Sequence, residues 1–432
     1  MQQLTTWLNN GIKLMLCFLL SMIFIIANGQ AVGKLSLEQA YAWAVQNYPE
    51  IKQKDLINQT LNLNVKNLET NFLPQFSLNG QGTYQSDVTT ISVPVPGFTF
   101  QPLDKDQYKF TGDVNQLIFD GGAVKQQKTI QQLTAVSEQQ KVEVDLYQVK
   151  NRINQLYLNV LFQDEQLKQN TISLNDIETG IKKVQAQVEN GTVLRSNLQV
   201  LQAQQLQTQQ RAIEIKNARK SIIASLSILT NKQLADDVQL ELPLATVDSD
   251  TTIIRPELQL FTAQTNQLEA QKNLIRANNL PKANLFVQGG YGRPGYNFLK
   301  NEFVWFYMVG VKLNWALNGL YTQRRNKELI NVNKKTVDIQ KETFLLNTRT
   351  DLSQQQSDIE RLTELTESDK AIIDLREKVT AASKAQLENG VITANDYLRE
   401  INAEDQAKQL LIIHQIQLLQ AKINYQSTLG KL

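Results

Sequence analysis

This sequence has very little cysteine and histidine, two residue types that are common in enzyme sites and metal sites. It contains one cysteine, Cys17, and one histidine, His414, which lies in the apolar stretch "LLIIHQIQLL". A single cysteine excludes an internal disulfide and a cysteine-rich metal site. The Gly-Gly pairs at 121 and 289 lack the lysine or the periodic glycines of nucleotide-binding loops. We therefore expect no enzyme activity, no metal and no cofactor, and we expect His414 to be a packed helix residue.

Charge of one sign and long apolar runs are also scarce. The 44 basic and 42 acidic residues are interspersed and leave a formal charge of +2, which argues against a nucleic-acid surface. The one long apolar run, residues 14–27, follows Lys13 and ends at the small residue Ala27, with Gly29 close behind. It is shorter than the ~20 residues that a helix needs to span a bilayer. We interpret residues 1–29 as a signal peptide rather than an anchor. Any membrane crossing by the remaining chain would then require strands.

Proline and glycine are nearly absent from two long stretches. Residues 123–190 contain only Gly180, and residues 320–389 contain neither residue type. A helix of ~68 residues would be roughly 100 Å long, whereas ordinary globular helices have ~10–14 residues. Both stretches end in Glu-Asn-Gly, at Gly191 and at Gly390. We expect each glycine to be the C-cap at which a long helix ends and the chain reverses.

These stretches are part of a sequence pattern that occurs twice in the chain. "LPQFSLNGQGTY" from Leu73 resembles "LPKANLFVQGGY" from Leu280, and the Glu-Asn-Gly of Gly191 is repeated at Gly390. A repeated order of landmarks indicates a duplicated structural unit. We predict a first repeat over residues 35–230, a linker over 231–253 and a second repeat over 254–430. Each repeat would contain a helix, two strands, a long helix, a turn and a final helix.

Alternation of apolar or small residues with polar residues predicts two strands in each repeat. The predicted strands are residues 75–85, 107–119, 283–292 and 303–315, and Met308 leaves the phase of the fourth ambiguous. We interpret aromatic residues near the strand ends as girdles at the membrane interfaces: Tyr84, Phe119, Tyr291, Trp305, Phe306 and Trp315. The alternative is a soluble sandwich with these aromatic residues packed inside.

Four strands cannot close a barrel, and open sheet edges are not tolerated in lipid. Several copies of the chain would therefore have to share one barrel, with polar strand faces lining a lumen. A solid coiled coil would show sustained heptads, which are not apparent. Two other functions fit less well. A trimeric coiled-coil surface adhesin would carry its strands once, at the C-terminus, and a general porin needs more than four strands per chain.

The sequence resembles the TolC family of outer-membrane efflux proteins. The resemblance is carried by residues 35–40 ("LSLEQA"), the two Leu-Pro strand starts, residues 116–122 ("QLIFDGG") and the two Glu-Asn-Gly turns. It covers about residues 35–430. It implies a mainly α-helical protein with a membrane β-barrel: a homotrimer with a twelve-stranded barrel in outer-membrane lipid and a periplasmic helical barrel. It further implies passive conduction of substrates delivered by an inner-membrane pump and a periplasmic adaptor protein.

The resemblance also points to residues at the periplasmic tip, where the family constricts its channel. Asp396 matches the family's tip acid, Arg399 stands where a second acid often occurs, and Asn197 is the equivalent of Asp396 in the first repeat. Ile392 and Leu387 replace a basic residue and a tyrosine that hold the gate closed in the best-known member. Gly191 and Gly390 are implied to form the turns that meet the adaptor. The alternative for Asp396 and Arg399 is a solvated pair on one helix face.

Overall fold

The computed structural model describes residues 34–90, 102–246 and 250–432. The expected signal peptide, with Cys17, lies outside the described residues. The described chain is mainly helical and has one four-stranded sheet. In chain order, its helices and strands are α1 (Leu37–Asn47), α2 (Gln53–Glu69), β1 (Gln75–Tyr84), β2 (Asp106–Phe119), α3 (Ala123–Glu189), α4 (Arg195–Thr230), α5 (Pro256–Asn278), β3 (Lys282–Arg293), β4 (Val304–Asn314), α6 (Gly319–Glu388) and α7 (Ala394–Leu429).

The chain divides into two compact units. The described part of the first comprises residues 34–48, 149–246 and 355–426, and the second comprises the described residues of 49–148, 250–354 and 427–432. Helices α3 and α6 each contribute residues to both units. Among the helices that the structure describes, none has a stretch apolar enough to span a lipid bilayer.

The first unit is a helical assembly with a narrow apolar core. Helix α1 begins with a capping box, in which the Ser36 hydroxyl accepts from the Gln39 amide and the Gln39 side chain accepts from the Ser36 amide. These reciprocal bonds satisfy two backbone donors at the helix start. Side chains with almost no exposure form the core of the unit: Ile153, Tyr157, Leu158, Val160, Ile177, Leu201, Ile223 and Leu226.

The linker after α4 is held to this unit by a backbone bridge and by hydrogen bonds from two side chains, Tyr157 and Arg219. Leu35 and Leu240 form a parallel bridge, and the buried Tyr157 hydroxyl lies 2.6 and 2.7 Å from the Leu35 and Glu241 carbonyls, to which it donates. Burial raises the pKa of Tyr157, so this hydroxyl stays a donor. Arg219 of α4 donates to Asp164 Oδ1 at 2.5 Å and to linker carbonyls, including Val238 at 2.6 Å.

His414 also lies in the first unit. Its Nδ1 is 2.6 Å from Asp369 Oδ2, and only a fifth of the His414 side chain is exposed. The histidine is therefore packed between helices, as the apolar stretch around it predicts.

The second unit contains the sheet, which is antiparallel with strand order β1-β2-β3-β4. Each strand lies within one residue of the bounds that the alternation predicts. The register resolves the phase of β4, because Trp305 is opposite Tyr291 and Val309 is opposite Val287. Odd-numbered residues of β4 therefore share the apolar face, and Met308 lies on the other face.

One face of the sheet is apolar and open. It carries Phe76, Leu78 and Tyr84 of β1, Tyr108, Phe110 and Val114 of β2, Leu285, Val287 and Tyr291 of β3, and Trp305, Tyr307, Val309, Val311 and Leu313 of β4. Phe76 is 78% exposed and Trp305 is 82% exposed. The opposite face is mainly polar and includes Asn79, Lys109, Asp113, Gln288 and Lys312.

Helices of the second unit also leave apolar side chains uncovered. Helix α2 has no buried residue, and Leu56 and Leu63, two turns apart, are 58% and 62% exposed. On α6, Val332, Ile339 and Leu346 follow one another at seven-residue spacing and are all more than half exposed. Residues seven apart lie on one helix face, so each helix presents an apolar stripe without a partner among the described residues.

Candidate functional site

The two Glu-Asn-Gly turns have the same geometry, and both lie in the first unit. Gly191 has φ 71° and Gly390 has φ 69°, in the left-handed region that favours glycine. After α3, the Thr192 amide donates to the Gln187 carbonyl at 2.9 Å and the Gly191 amide donates to the Val188 carbonyl at 3.0 Å. The same two bonds occur after α6. Each long helix therefore ends in a Schellman motif, which satisfies its last carbonyls.

Polar contacts tie the two turns to each other. The Gln187 side-chain amide donates to the Glu388 carbonyl at 3.1 Å and to the Leu387 carbonyl at 3.4 Å. Lys183 of α3 forms an ion pair with Glu388 of α6, and this contact lowers the pKa of the Glu388 carboxyl. The end of α3 thus supplies donors to the end of α6, where carbonyls and the helix dipole favour them.

An apolar cluster fills the space beneath the turns. Its buried members are Val184, Leu201, Leu387, Ala394, Tyr397, Leu398 and Ile401, and Ile392 packs against it. Leu387 is 5% exposed. The structure therefore places Leu387 and Ile392 in the packing that holds the hairpins together. The assignment of Leu387 and Ile392 to the gate stays a prediction; within this chain the Leu387 side chain is enclosed by the cluster.

Asp396 has a structural role at the start of α7. Its Oδ2 accepts from the Thr393 hydroxyl at 2.7 Å and from the Thr393 amide at 3.2 Å, and Thr393 Oγ1 accepts from the Asp396 amide at 3.2 Å. This is a capping box with aspartate as the acid. The Thr393 hydroxyl and then the Thr393 amide lower the pKa of Asp396, with a smaller contribution from Arg399. Asp396 is thus an exposed anion at neutral pH.

Arg399 and Asn197 are less constrained. Arg399 is largely exposed, and its Nη2 lies 3.9 Å from Asp396 Oδ1 and its Nε 3.5 Å from Glu400 Oε1. Exposed contacts of this length contribute little to stability. Asn197 occupies the first turn of α4, but the N-cap there is Leu194, which makes no side-chain capping bond. The two turns therefore match at their glycines and differ at the helix starts that follow.

The sheet places most of the predicted girdle residues on its apolar face. Tyr84, Tyr291 and Trp305 lie on this face near the end that carries the β1–β2 and β3–β4 connections, and the rings of Tyr291 and Trp305 are 5.1 Å apart. Trp315 follows β4 at the opposite end, and its indole nitrogen donates to the Asn279 carbonyl at 3.1 Å. Phe119 reaches the apolar face through a register irregularity after Leu117, which pairs Phe119 with Ala283.

Phe306 is not part of this girdle. It pairs with Gly290, one residue away from the Trp305–Tyr291 pair, and successive strand residues point to opposite faces. Phe306 therefore lies on the polar face. Its ring is 4.7 Å from the ring of Tyr296. Counting it with Trp305 was wrong because two adjacent aromatic residues of one strand cannot share a face.

Some residues that shape these sites were not singled out from the sequence. The pattern Thr393-x-x-Asp396 ahead of an apolar stretch is a capping signal that could have been recognised. The contacts of Gln187 and Lys183 with the end of α6 join residues far apart in the chain, and no local pattern indicates them.

Residues 41–231 match the outer membrane efflux protein family (OEP). This part of the chain is therefore similar to outer membrane efflux proteins. No curated protein sequence matches the chain, but solved outer-membrane proteins share its fold at low identity. One is VceC of Vibrio cholerae, with 12% identity, a TM-score of 0.64 and coverage of 91% of this chain and 96% of VceC. The Campylobacter jejuni CmeC outer membrane channel has 13% identity, a TM-score of 0.62 and coverage of 91% and 85%. The Neisseria gonorrhoeae MtrE outer membrane channel has 14% identity, a TM-score of 0.62 and coverage of 91% and 88%.

The match indicates an outer membrane efflux protein rather than an enzyme. The helical content with few strands is that of these channels.

Proposed function

We propose that three copies of this chain close a twelve-stranded barrel in the outer membrane, continued in the periplasm by a barrel of long helices. The observation that carries the proposal is the sheet itself. Its apolar face is open along all four strands, and β1 and β4 have no further strand beside them among the described residues. Lipid would cover the apolar face, and pairing of β1 with β4 of the next copy would satisfy both edges.

The helices support the same assembly. The apolar stripes of α2 and α6 have no partner in the part of the chain that the structure describes, and they would be covered by neighbouring copies. In this arrangement each copy contributes two duplicated repeats, residues 35–230 and 254–430, joined by the linker 231–253. The alternatives of a surface adhesin and of a general porin receive no support from the sheet, because its strands come from both halves of the chain and are too few for a self-contained pore.

The channel would conduct passively. The polar sheet face would line a wet lumen, and substrates would be delivered by an inner-membrane pump through a periplasmic adaptor protein. The turns at Gly191 and Gly390 would meet the adaptor, and Asp396 of three copies would form an acidic ring at the tip. The exposed, ionised carboxylate of Asp396 supports a ring of this kind, because its capping bonds leave its negative charge in place.

A deletion strain tests the function directly. Loss of an efflux duct should raise sensitivity to drugs and detergents that its pump exports, and expression of this chain in trans should restore resistance. Loss of a general porin should have the opposite effect, because antibiotics then enter more slowly. Unchanged or increased resistance of the deletion strain across a broad panel would contradict the efflux function.

A further inference from the structure

The polar face of the sheet carries an aromatic and cationic cluster near the end at which β3 and β4 are connected. Lys109 Nζ lies 5.4 Å from the ring centroid of Tyr296 and 5.0 Å from that of Phe306. The two rings are in edge contact, with centroids 4.7 Å apart and an interplanar angle of 66°. A cation at these distances is attracted to both ring faces. We refer to Lys109, Tyr296 and Phe306 as the Lys109 cluster.

Each member reaches this face for a local reason. Lys109 is an odd-numbered residue of β2 and shares the polar face with Asp113. Phe306 lies across Gly290, where an added Cβ would come within 2.7 Å of the Phe306 ring, so the glycine provides the space for that ring. Tyr296 belongs to the connection between β3 and β4, which folds back onto the sheet instead of extending away from it.

A hydrogen-bond chain fixes the Tyr296 side of the cluster. The Tyr296 hydroxyl donates to Gln288 Oε1 at 2.6 Å, and the Gln288 amide donates to Asp113 Oδ1 at 2.5 Å. Asn79 and Thr111 donate to Asp113 Oδ2 at 2.7 and 3.1 Å. The three hydrogen bonds that Asp113 accepts here all come from neutral donors. Within the described part of the chain, no carboxylate lies within ion-pair distance of Lys109, and Asp113 of the same strand interacts with its charge only at longer range.

We propose that Lys109, held between Tyr296 and Phe306, forms a cationic constriction in the strand segment of the channel and sets the charge preference of permeating solutes there. This inference rests on the proposed function, because it requires the polar face to line the lumen. Three copies would then place three ammonium groups and six aromatic rings around the channel lumen at one depth. Rings of charged side chains set the selectivity of pores, and this ring would favour anionic solutes and oppose cations. The site is distinct from Asp396, which lies in the first unit.

Planar-bilayer recordings of the full-length protein, with potassium chloride as the only permeant salt, test the proposal. In a salt gradient, Lys109→Met should shift the reversal potential toward cation preference, and Lys109→Arg should keep the wild-type value. Tyr296→Ala should increase single-channel conductance, because it removes a ring from the constriction. Tyr296→Phe, which keeps the ring, and Tyr84→Ala, which removes a tyrosine from the apolar face, should retain wild-type conductance.

The outcomes separate this inference from the function on which it rests. Wild-type channels together with an unchanged reversal potential in Lys109→Met and unchanged conductance in Tyr296→Ala would overturn the constriction and leave the channel function intact. Failure of the wild-type protein to form any channel would contradict the proposed function itself. If Lys109→Met does not assemble, the conductance of Tyr296→Ala relative to Tyr296→Phe decides the question, because both changes lie in the connecting segment outside the strands.

Discussion

The side-chain amide of Gln187 donates to the main-chain carbonyl of Glu388, at 3.1 Å, and so joins the ends of two long helices from the two halves of the chain. Lys183 reinforces this contact by pairing with the Glu388 carboxylate. The ends of α3 and α6 are therefore joined by polar contacts, and both pack on the same apolar cluster. Any movement of one turn relative to the other must break these bonds first.

Replacement of Gln187 should weaken the contact between the ends of α3 and α6. Gln187→Ala removes both bonds to the end of α6 and leaves the carbonyls without these donors, with a net cost of about 1 kcal/mol for each hydrogen bond of this kind. We expect faster amide hydrogen exchange at residues 386–392, measured by mass spectrometry. Gln185→Ala is the matched control, because among the described residues the Gln185 side chain bonds to Glu189 of its own helix and not to α6. Equal protection in Gln187→Ala and wild type would argue against the coupling.

The turn glycines should tolerate no side chain without cost. Gly191→Ala and Gly390→Ala each force a left-handed conformation that costs a non-glycine residue roughly 1–2 kcal/mol, although the space around both glycines is open. We expect increased proteolysis at the turns and impaired crosslinking to the adaptor.

Gly180→Ala is the control, because this substitution should raise stability instead of lowering it. Gly180 lies within α3 and an added Cβ would make an ordinary contact with Tyr397 at 3.6 Å, so alanine should stabilise the helix by about 0.5–1 kcal/mol. Turn variants with wild-type protease resistance would contradict this account.

The elements of the fold are largely readable from the sequence, and their surroundings are not. Alternation of apolar and polar residues predicts the strands, because successive side chains of a strand point to opposite faces. The scarcity of glycine and proline in two long stretches predicts the long helices. Leu387, in contrast, was compared with a family gate residue, and only packing against residues such as Tyr397 reveals that it is enclosed. Phe306 was misassigned because the phase of β4 depends on its pairing with β3, which is a tertiary property.

The charge of Asp396 and its capping role can be separated by two substitutions. Asp396→Asn keeps an oxygen that accepts from Thr393 but removes the charge, whereas Asp396→Ala removes both. If the three copies form an acidic ring, both variants should weaken block of the channel by multivalent cations, and Asp396→Ala alone should increase hydrogen exchange at the start of α7. Unchanged cation block in Asp396→Asn would limit Asp396 to capping.

The capping contribution of Asp396 to stability should depend on pH in a defined direction. Its pKa is lowered in the folded protein, so its capping contribution is present above the unfolded-state pKa of ~3.9 and is lost as pH falls through the lower folded value. Cation block and exchange at the start of α7 should therefore be the same at pH 7 and pH 5. A change in wild-type protein centred between those values that is absent in Asp396→Asn would show that the carboxyl titrates higher than its contacts imply.

Arg219 should be essential for the attachment of the linker. Arg219→Leu leaves Asp164 without its partner and removes donors from two linker carbonyls, and unsatisfied groups of this kind cost about 1–3 kcal/mol each. We expect hydrogen exchange of residues 234–241 to increase strongly. Lys220→Leu is the neighbouring control, because Lys220 pairs with Asp236 in an exposed ion pair and little change is expected. Equal effects of the two substitutions would contradict a specific role of Arg219.

The central claim, that one chain supplies a third of a closed barrel, is tested most directly by crosslinking the two outer strands between copies. In a Cys17→Ser background, Ser77→Cys on the polar face of β1 is combined with single cysteines along the polar face of β4, at Phe306, Met308, Gly310 and Lys312. Disulfides require Cβ atoms about 3.5–4.5 Å apart, and the intrachain pair Gln75→Cys with Asn115→Cys is the control that should remain monomeric. We predict that at least one β1–β4 pair gives species of two and three chains and none larger, whereas each single cysteine gives monomer. A monomer with every pair, or a ladder that stops at two chains or continues beyond three, would contradict the claim.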